Sequence, residues 1–326
     1  MEERMFVSVP EGRTIVEENN GSDLVKELEN IAAASYSKNT EALKRSAWKR
    51  FVNFGKDPKA GVASSDDELV VLFIAHCRTE GLKTATIKTY VSLITGILAS
   101  RGRILSDQGL QAVKKALRGI SKLGVPPLGK TPVTTPGIRA MCSLTGDTLF
   151  GLQQRALILL GYASGGRASE VVGLNVEDLT FEEEGLVYML HRSKTDREGM
   201  GRAVSVVKAA SPEFCPVLTL KRLLRETGRT EGPVFRTPYR TGIFLRRRLS
   251  LRYYDRLVKN LARKADLEGD FGGHSLRSGH VTQAVREGVD HLIIARQTGH
   301  RDLNSLKRYV RLGPEFRKNS SGYLGL

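Results

Sequence analysis

Apolar residues in the first part of the chain recur at helical spacing. Between residues 40 and 54, and again between 84 and 100, they fall three or four positions apart, with charged or hydroxyl residues between them. A Ser/Asp cap signal precedes an apolar run in the segment between those two stretches. Residues 107 to 122 repeat the pattern with Leu110 on the apolar face. The pattern predicts four or five packed helices with Trp48 in their core.

A stretch rich in proline, glycine and threonine, GVPPLGKTPVTTP at residues 124–136, follows these helices. Such residues resist continuing a helix or a strand, so they predict an extended linker. The linker separates a helical domain at 31–123 from a second domain at 137–326. A leader at 1–30 precedes the helical domain.

The second domain combines helical patterns with two short strand patterns. Thr135 and Pro136 predict a cap and first-turn proline for a helix that runs to about Leu144. QQRALILLGYASG predicts a buried helix, and residues 244–267 predict another. The apolar runs LVYML and AVSVV predict the strands of a small sheet around residues 174–207. The fold class predicted is mainly α with a small antiparallel β-sheet.

Charge changes this picture by indicating a partner. The chain carries 51 Lys and Arg against 35 Asp and Glu, a formal charge of +16. Residues 1–30 are acidic, with three basic residues against eight acidic ones, whereas residues 31–130 carry 17 against 7 and residues 131–326 carry 31 against 20. Two basic domains attract a polyanion, and duplex DNA fits them better than RNA or general solubility does. The acidic leader is predicted to be flexible or to pack away from DNA.

Cysteine usage and hydropathy exclude other classes. Cys77, Cys142 and Cys215 lie far apart without C-x-x-C spacing, which predicts buried thiols and neither a zinc site nor a disulfide framework. The chain has no run of eighteen apolar residues and no basic-then-apolar signal at its start. We expect a cytoplasmic protein, associated with its target DNA in the nucleoid, with no membrane partner, metal or cofactor.

Polar residues of the second domain stand in an order that suggests phosphoryl transfer. They occur in the segments GGRASE, RSKTDREG, GGHSLRSGH, TGHRD and LKRYV, and are Arg167, Lys194, His274, Arg277, His300 and Tyr309. A tyrosine that attacks a phosphodiester needs cations that hold the developing charge, and arginine matches two phosphate oxygens in planar geometry. Histidine can assist with the phenolic proton, and lysine can protonate the departing 5′ oxygen. Such a site needs no carboxylate cluster for Mg²⁺.

This order of motifs resembles the tyrosine recombinases of the phage-integrase family, most closely the Cre-like members. The motifs span about residues 135 to 312, and a weaker similarity covers about 30 to 125. The resemblance implies a helical core-binding domain and a catalytic domain that together form a C-shaped clamp on DNA.

The resemblance also implies a role for each residue. Arg167 and Arg277 stabilise the pentavalent phosphorane, and Glu170, on the same helical face as Arg167, supports the site. Lys194 is the general acid for the leaving 5′ oxygen, and His274 helps accept the phenolic proton. His300 forms a hydrogen bond to a non-bridging oxygen, and Tyr309 is the nucleophile.

Each residue alone has an ordinary explanation. Arg167 and Glu170 could form a common helix ion pair, Lys194 could be a solvated turn residue, and Tyr309 could be a core or surface aromatic. The order and spacing of all the motifs in one basic domain favour the catalytic interpretation. Two other functions stay open: a type IB topoisomerase-like enzyme that relaxes DNA, and a non-catalytic DNA-binding architectural protein.

Candidate DNA contacts occur in both domains. In LSLRYYDRLVKN, Ser250 is a possible N-cap and Arg252 lies in the first turn, from which a side chain can reach base edges in the major groove. A phosphate contact is the alternative for Arg252. Other candidates, expected to position the backbone or to contact DNA from the first domain, are Arg246, Arg247, Arg248, Lys44, Lys88 and Ser92.

As the resemblance implies, the protein exchanges strands between two inverted-repeat sites through a 3′-phosphotyrosyl intermediate and a Holliday junction, as a homotetramer. Its tail, with Tyr323, Leu324 and Leu326 at the end, is expected to dock on the neighbouring protomer. The target sequence, the need for accessory proteins, and the choice among integration, resolution and inversion do not follow from the sequence.

Overall fold

The computed structural model describes residues 27, 38–124, 129–191, 201–240, 243–300 and 302. The chain forms two compact units that divide between residues 127 and 128. Apart from Glu27, the predicted acidic leader lies outside the described residues.

The first unit is helical throughout its described part. Its helices are α1 (Lys38–Gly55), α2 (Asp66–Thr79), α3 (Thr84–Ser100) and α4 (Asp107–Leu123). Ser65 and Ser106 cap α2 and α4, because their hydroxyl oxygens accept the backbone N–H groups of Glu68 and Gly109.

The core of this unit largely follows the predicted apolar faces. It is built from aliphatic and phenylalanine side chains such as Phe51, Phe73 and Ile94. Trp48 is half-buried at its edge, with the Arg101 guanidinium 4.4 Å from the ring centroid. Leu110 was predicted to face inward but is 38% exposed, since it lies at the margin of the helix face that packs on α2.

The second unit is mainly helical with two small antiparallel sheets. Its helices are α5 (Thr135–Ser143), α6 (Leu149–Ser164), α7 (Ala168–Gly173), α8 (Pro216–Thr227), α9 (Leu251–Lys264), α10 (His274–Arg286) and α11 (His291–Thr298). Its strands are β1 (Leu179–Phe181), β2 (Gly185–Leu190), β3 (Arg202–Val207), β4 (Arg236–Arg240) and β5 (Ile243–Arg248).

The first sheet has the order β1-β2-β3, and β2 pairs with β3 from Gly185↔Val207 to Leu190↔Arg202. The apolar runs LVYML and AVSVV are therefore the two arms of a hairpin, as predicted. Strands β4 and β5 form a second sheet that the sequence analysis did not predict.

Helix α6 is the central element of the second unit. Most of its surface is apolar and buried. It packs against α5, α8, α10 and the first sheet. It ends at Gly165, which has the left-handed φ of 59°. The chain can therefore turn sharply and begin α7 three residues later.

Two predicted elements differ from the structure. The N-cap of α5 is Thr134, so the helix begins one residue before the predicted first turn. Residues 244–248 belong to strand β5, and the helix predicted over 244–267 begins only at Leu251, after the Ser250 cap. Extended pairing with β4 overrides the helix propensity of this Leu/Arg segment.

Part of the predicted linker packs on the second unit. The backbone N–H groups of Thr131 and Val133 donate to the carbonyls of Asp270 and Ser275, and Val133 is buried in the core. A Cβ at Gly279 would lie 1.9 Å from the Val133 carbonyl oxygen. The absence of a side chain at Gly279 thus allows this segment to lie against α10.

Candidate active site

The turn between α6 and α7 holds Arg167 in an extended conformation immediately before α7. The turn passes close to α10 and α11: a Cβ at Gly165 would lie 2.7 Å from Thr298 Cγ2 and 2.8 Å from the ring of His280. Glycine is needed there for the close approach as well as for the positive φ.

Glu170 binds both ends of Arg167. Its Oε1 accepts a hydrogen bond from the Arg167 Nη1 at 2.6 Å, and its Oε2 accepts one from the Arg167 backbone N–H at 2.9 Å. The Glu170 side chain is 3% exposed and the Arg167 side chain 21% exposed. This buried carboxylate fixes the arginine in one geometry and leaves part of its guanidinium accessible.

Arg277, one turn into α10, is 2% exposed. Its Nη1 donates to the carbonyls of Gly165 at 2.8 Å and Thr298 at 2.6 Å. Its Nη2 lies 3.0 Å from His300 Nε2. Arg277 therefore joins the Arg167 turn to the end of α11.

The contacts of His300 define its tautomer. Because arginine can only donate, His300 Nε2 accepts from Arg277, and the ring proton is on Nδ1. Nδ1 donates to Thr298 Oγ1 at 2.6 Å, and that hydroxyl donates to the Ile294 carbonyl at 2.6 Å. His300 thus links Arg277 to the Thr298 hydroxyl and orients the arginine.

His274 is the first residue of α10, and its side chain is exposed. Its loop is held in place by neighbours: the Gly273 N–H donates to Asp255 Oδ1 at 3.0 Å, and the Gly272 N–H donates to Ser275 Oγ at 3.0 Å. His274 and Arg277 therefore lie one helical turn apart, with His274 at the solvent side.

The hairpin that carries Lys194 is described only in its strands. Lys194, in the turn between β2 and β3, and Tyr309, after α11, lie outside the described residues. Their roles stay predictions.

The structure adds Arg202 and Gln297 to the residues found from the sequence. Arg202 begins β3 and its Nη1 donates to the Gln297 carbonyl at 3.1 Å, while Gln297 Nε2 donates to the Ser205 carbonyl at 2.9 Å. The only sequence signal is an arginine that opens the apolar run AVSVV, at the exit of the hairpin predicted to carry the lysine.

Two buried tyrosines lie close to the Arg167 turn. Tyr188 on β2 and Tyr254 on α9 are both 0% exposed. Burial raises the pKa of Tyr188 to about 12 and raises the pKa of Tyr254 above its ordinary value. Both phenols stay protonated at neutral pH and inaccessible to a phosphodiester, so they are packing residues.

His280 packs against the turn between α6 and α7. Its Nδ1 lies 2.9 Å from the Tyr162 carbonyl, to which it must donate, and burial lowers its pKa. It is a neutral structural histidine.

Three of the predicted DNA-contact residues in the second unit are exposed. Arg252 lies in the first turn of α9, where Ser250 Oγ accepts the Tyr253 N–H at 3.1 Å. Arg246 and Arg247 are exposed on β5.

Arg248 differs from these exposed arginines in its contacts. It is half-buried, its Nη1 donates to the carbonyls of Val172 at 2.9 Å and Leu174 at 3.0 Å, and its Nη2 donates to Asn175 Oδ1 at 2.6 Å. The Arg248 guanidinium thus binds carbonyls at the C-terminal end of α7 and has a structural role there, and its predicted DNA contact stays a prediction.

In the first unit, Lys88 and Ser92 are exposed one turn apart on α3, and Lys44 is half-buried on α1. Helices α1 and α3 pack against each other. The three predicted contacts are thus on neighbouring helices.

Among the described residues, no group of three or more His, Cys, Asp or Glu could hold a metal ion. No helix in the described part of the chain is long and apolar enough to cross a membrane.

The structure is a mainly helical fold with two arginines and a histidine at one helix end, and sequence comparison identifies the family. The profile of the phage integrase family matches residues 138–315. The chain belongs to this family.

Individual relatives agree. The integrase/recombinase XerD homolog of Selenomonas ruminantium is 34% identical over 194 residues, which cover 59% of this chain and 57% of the relative. Tyrosine recombinase XerD of Neisseria meningitidis serogroup B is 32% identical over 172 residues, 53% of this chain and 55% of the relative. The matches span little more than half the length of these relatives.

Solved structures share the fold. The XerH site-specific recombinase bound to palindromic difH substrate, a post-cleavage complex, has a TM-score of 0.60 at 17% identity, covering 88% of this chain and 79% of the other. A lambda integrase dimer bound to a COC' core site has a TM-score of 0.61 at 15% identity, covering 89% and 77%.

Proposed function

We propose that this protein is a site-specific DNA recombinase that cleaves and rejoins strands through a tyrosine. The observation that carries the proposal is the convergence of Arg167, Arg277 and His300, from three separate elements, at the end of α11. Two guanidiniums held by buried partners form a preorganised cradle for a phosphate that gains negative charge in the transition state.

The proposed reaction is balanced without an external energy source. The Tyr309 oxygen attacks the scissile phosphorus, the P–O5′ bond breaks, and Lys194 gives a proton to the departing oxygen while His274 helps accept the phenolic proton. The 5′-hydroxyl of another duplex then reverses the step. The phosphotyrosyl bond conserves the phosphodiester energy, so neither ATP nor a metal is required.

The predicted role of His300 needs one exchange of partners. While its Nε2 accepts from Arg277, this nitrogen has no proton to give to a phosphate oxygen. A contact to a non-bridging oxygen requires a proton on Nε2, supplied either by protonation of the ring or by a change to the other neutral tautomer, in which Nδ1 accepts from the Thr298 hydroxyl. A negative phosphate beside the imidazole favours that protonation.

The DNA partner and the assembly are also proposals. Two basic units, with residues 31–130 at 17 basic against 7 acidic and residues 131–326 at 31 against 20, suit a clamp that neutralises duplex phosphates. The palindromic substrate named for XerH supports inverted-repeat sites by analogy. Exchange of two strands through a Holliday junction then requires a tetramer on two sites.

A nicked suicide substrate tests the chemistry. The wild-type protein should become covalently attached to DNA, and Tyr309→Phe should abolish attachment while specific binding stays nearly unchanged, because the ring is kept and the nucleophile is removed. The measurement is gel separation of protein–DNA adducts, with binding measured in parallel. No adduct in the wild type indicates a non-catalytic binder, and relaxation without joining of two duplexes indicates a topoisomerase.

A sulfur substitution tests Lys194. Lys194→Ala should slow cleavage of ordinary DNA, but cleavage should recover when the bridging 5′ oxygen is sulfur, since a thiolate leaves without protonation. Initial rates on the two substrates give the comparison. Equal loss on both substrates would remove Lys194 from the role of acid.

A further inference from the structure

The last carbonyls of α11 are bound by three arginines. The carbonyl groups at a helix C-terminus have no partner within the helix and carry partial negative charge. Here Arg277 donates to Thr298 at 2.6 Å and Arg167 donates to Gly299 at 3.5 Å. Arg202 donates to Gln297 at 3.1 Å and to Arg296 at 3.5 Å. All four carbonyls from residue 296 to residue 299 thus face a guanidinium.

Arg202 brings a third element to this point. It is the first residue of β3, at the exit of the hairpin, and its side chain is 24% exposed. A Cβ at Gly299 would lie 3.0 to 3.1 Å from Arg202 Nε, Cζ and Nη2, so the guanidinium packs directly on the glycine that precedes His300. The Gln297 amide, bound to the Ser205 carbonyl, fixes the same helix end to the same strand.

Glu170 connects Arg202 with Arg167. The Arg202 Nη2 lies 3.7 Å from Oε2 of Glu170. Oε1 of the same carboxylate pairs with Arg167 Nη1 at 2.6 Å. Arg202 Nη2 is buried and makes no hydrogen bond among the described residues. One carboxylate and one helix end therefore hold two arginines that would otherwise repel each other.

We propose that Arg202 is a positioning residue for strand cleavage, which locks strand β3 to the end of α11 and thereby orients His300 and Arg167. The proposal rests on the proposed function. Arg202 acts through Gly299 and Glu170, and no contact with the phosphate is invoked. A misplacement of about 1 Å at such a site can reduce a rate by about 100-fold.

Three variants test this role. Arg202→Ala removes all the contacts, and Arg202→Lys keeps the charge but lacks the planar guanidinium that packs on Gly299 while it donates to the helix carbonyls. Arg222→Ala is the matched control, since it removes an arginine that pairs with a glutamate, Glu226 at 2.6 Å, on the exposed surface of α8. Thermal melts of each variant establish that it is folded.

Two readouts separate positioning from other effects. One is the cleavage rate of a suicide substrate at saturating protein, compared with the affinity for a half-site. The other is the imidazole resonance of His300 in free protein labelled with ¹³C-histidine, assigned with His300→Gln. We expect Arg202→Ala to lower the rate at least about tenfold with affinity within about twofold, and to shift the His300 resonance. Arg202→Lys should recover part of the rate, and Arg222→Ala should match the wild type on both readouts.

Two results would overturn the proposal. A wild-type rate in Arg202→Ala removes any role in cleavage. A lower rate with an unmoved His300 resonance means that Arg202 acts elsewhere, for example on the phosphate itself. Should Arg202→Ala fail to fold, Gln297→Ala tests the same connection, and an unchanged rate and His300 resonance there would also overturn it. If the wild type forms no covalent adduct, the proposed function fails, but the His300 resonance still tests the coupling.

Discussion

At the residue scale, identical neighbours in the sequence have different tasks in the structure. Arg246, Arg247 and Arg248 form one basic run, yet the first two side chains are exposed and the third is bound to Val172, Leu174 and Asn175. Strand alternation alone would give Arg246 and Arg248 the same side, so the difference comes from position: Arg248 is the last residue of the strand and meets the end of α7.

Arg248→Ala and Arg247→Ala should therefore differ. Loss of Arg248 removes the donor to the Val172 carbonyl and to Asn175 Oδ1, whereas the Leu174 carbonyl keeps the Val234 N–H, and it should lower the free energy of unfolding by about 2 kcal/mol. Loss of Arg247 should change stability by less than about 0.5 kcal/mol and instead weaken DNA binding, with a salt slope lower by about one. Denaturant unfolding and salt-dependent binding measure both. Equal stability of the two variants would contradict the structural role of Arg248.

At the element scale, α9 is the best-defined candidate for reading bases. Its N-terminus is fixed by the Ser250 cap, and Arg252 projects from its exposed first turn. In the first unit, Lys88 is exposed in the first half of α3. The N-cap residue of that helix, Lys83, makes no side-chain capping hydrogen bond.

Arg252→Ala should lose about 1 to 3 kcal/mol of binding free energy and relax the preference at one base pair per half-site, because a bidentate contact to guanine is removed. Lys88→Ala should weaken binding to all sequences alike. Affinities for a panel of single-base variants of the half-site provide the measurement. A uniform loss for Arg252→Ala would make it a phosphate contact.

The element scale also shows where prediction from sequence succeeds and fails. The β2–β3 hairpin was predictable because its apolar runs are short and bounded by polar turns. Strand β5 was not, because Leu and Arg favour helix in isolation and only pairing with β4 makes the segment extended.

At the scale of the whole molecule, assembly is the remaining question. The first turn of helix α11 exposes Leu292 by 66% and Ile293 by 53%. The tail with Tyr323, Leu324 and Leu326 lies outside the described residues, and the family resemblance predicts that it docks on a neighbouring protomer.

Truncation after Lys318 should leave half-site binding intact but impair synapsis of two sites and recombination, since the contact between protomers is lost. Gel mobility of one-site and two-site complexes, together with a recombination assay, measures these steps. Leu324→Ser is the milder variant and should impair synapsis in the same direction. Recombination by the truncated protein at the full-length rate would show that the tail has no role in assembly.

By itself, the sequence determined the fold class, the family resemblance and the identity of the predicted site residues, because hydrophobic period and motif order are local properties of the chain. Only the tertiary structure decided that Arg202 joins the site, that Arg248 binds the end of α7 and that His300 accepts a hydrogen bond from Arg277. These outcomes depend on which backbone carbonyls lie opposite each guanidinium. Elements 94 to 132 residues apart in the chain supply those carbonyls at the Arg202 and Arg167 contacts, and no local pattern encodes such a distance.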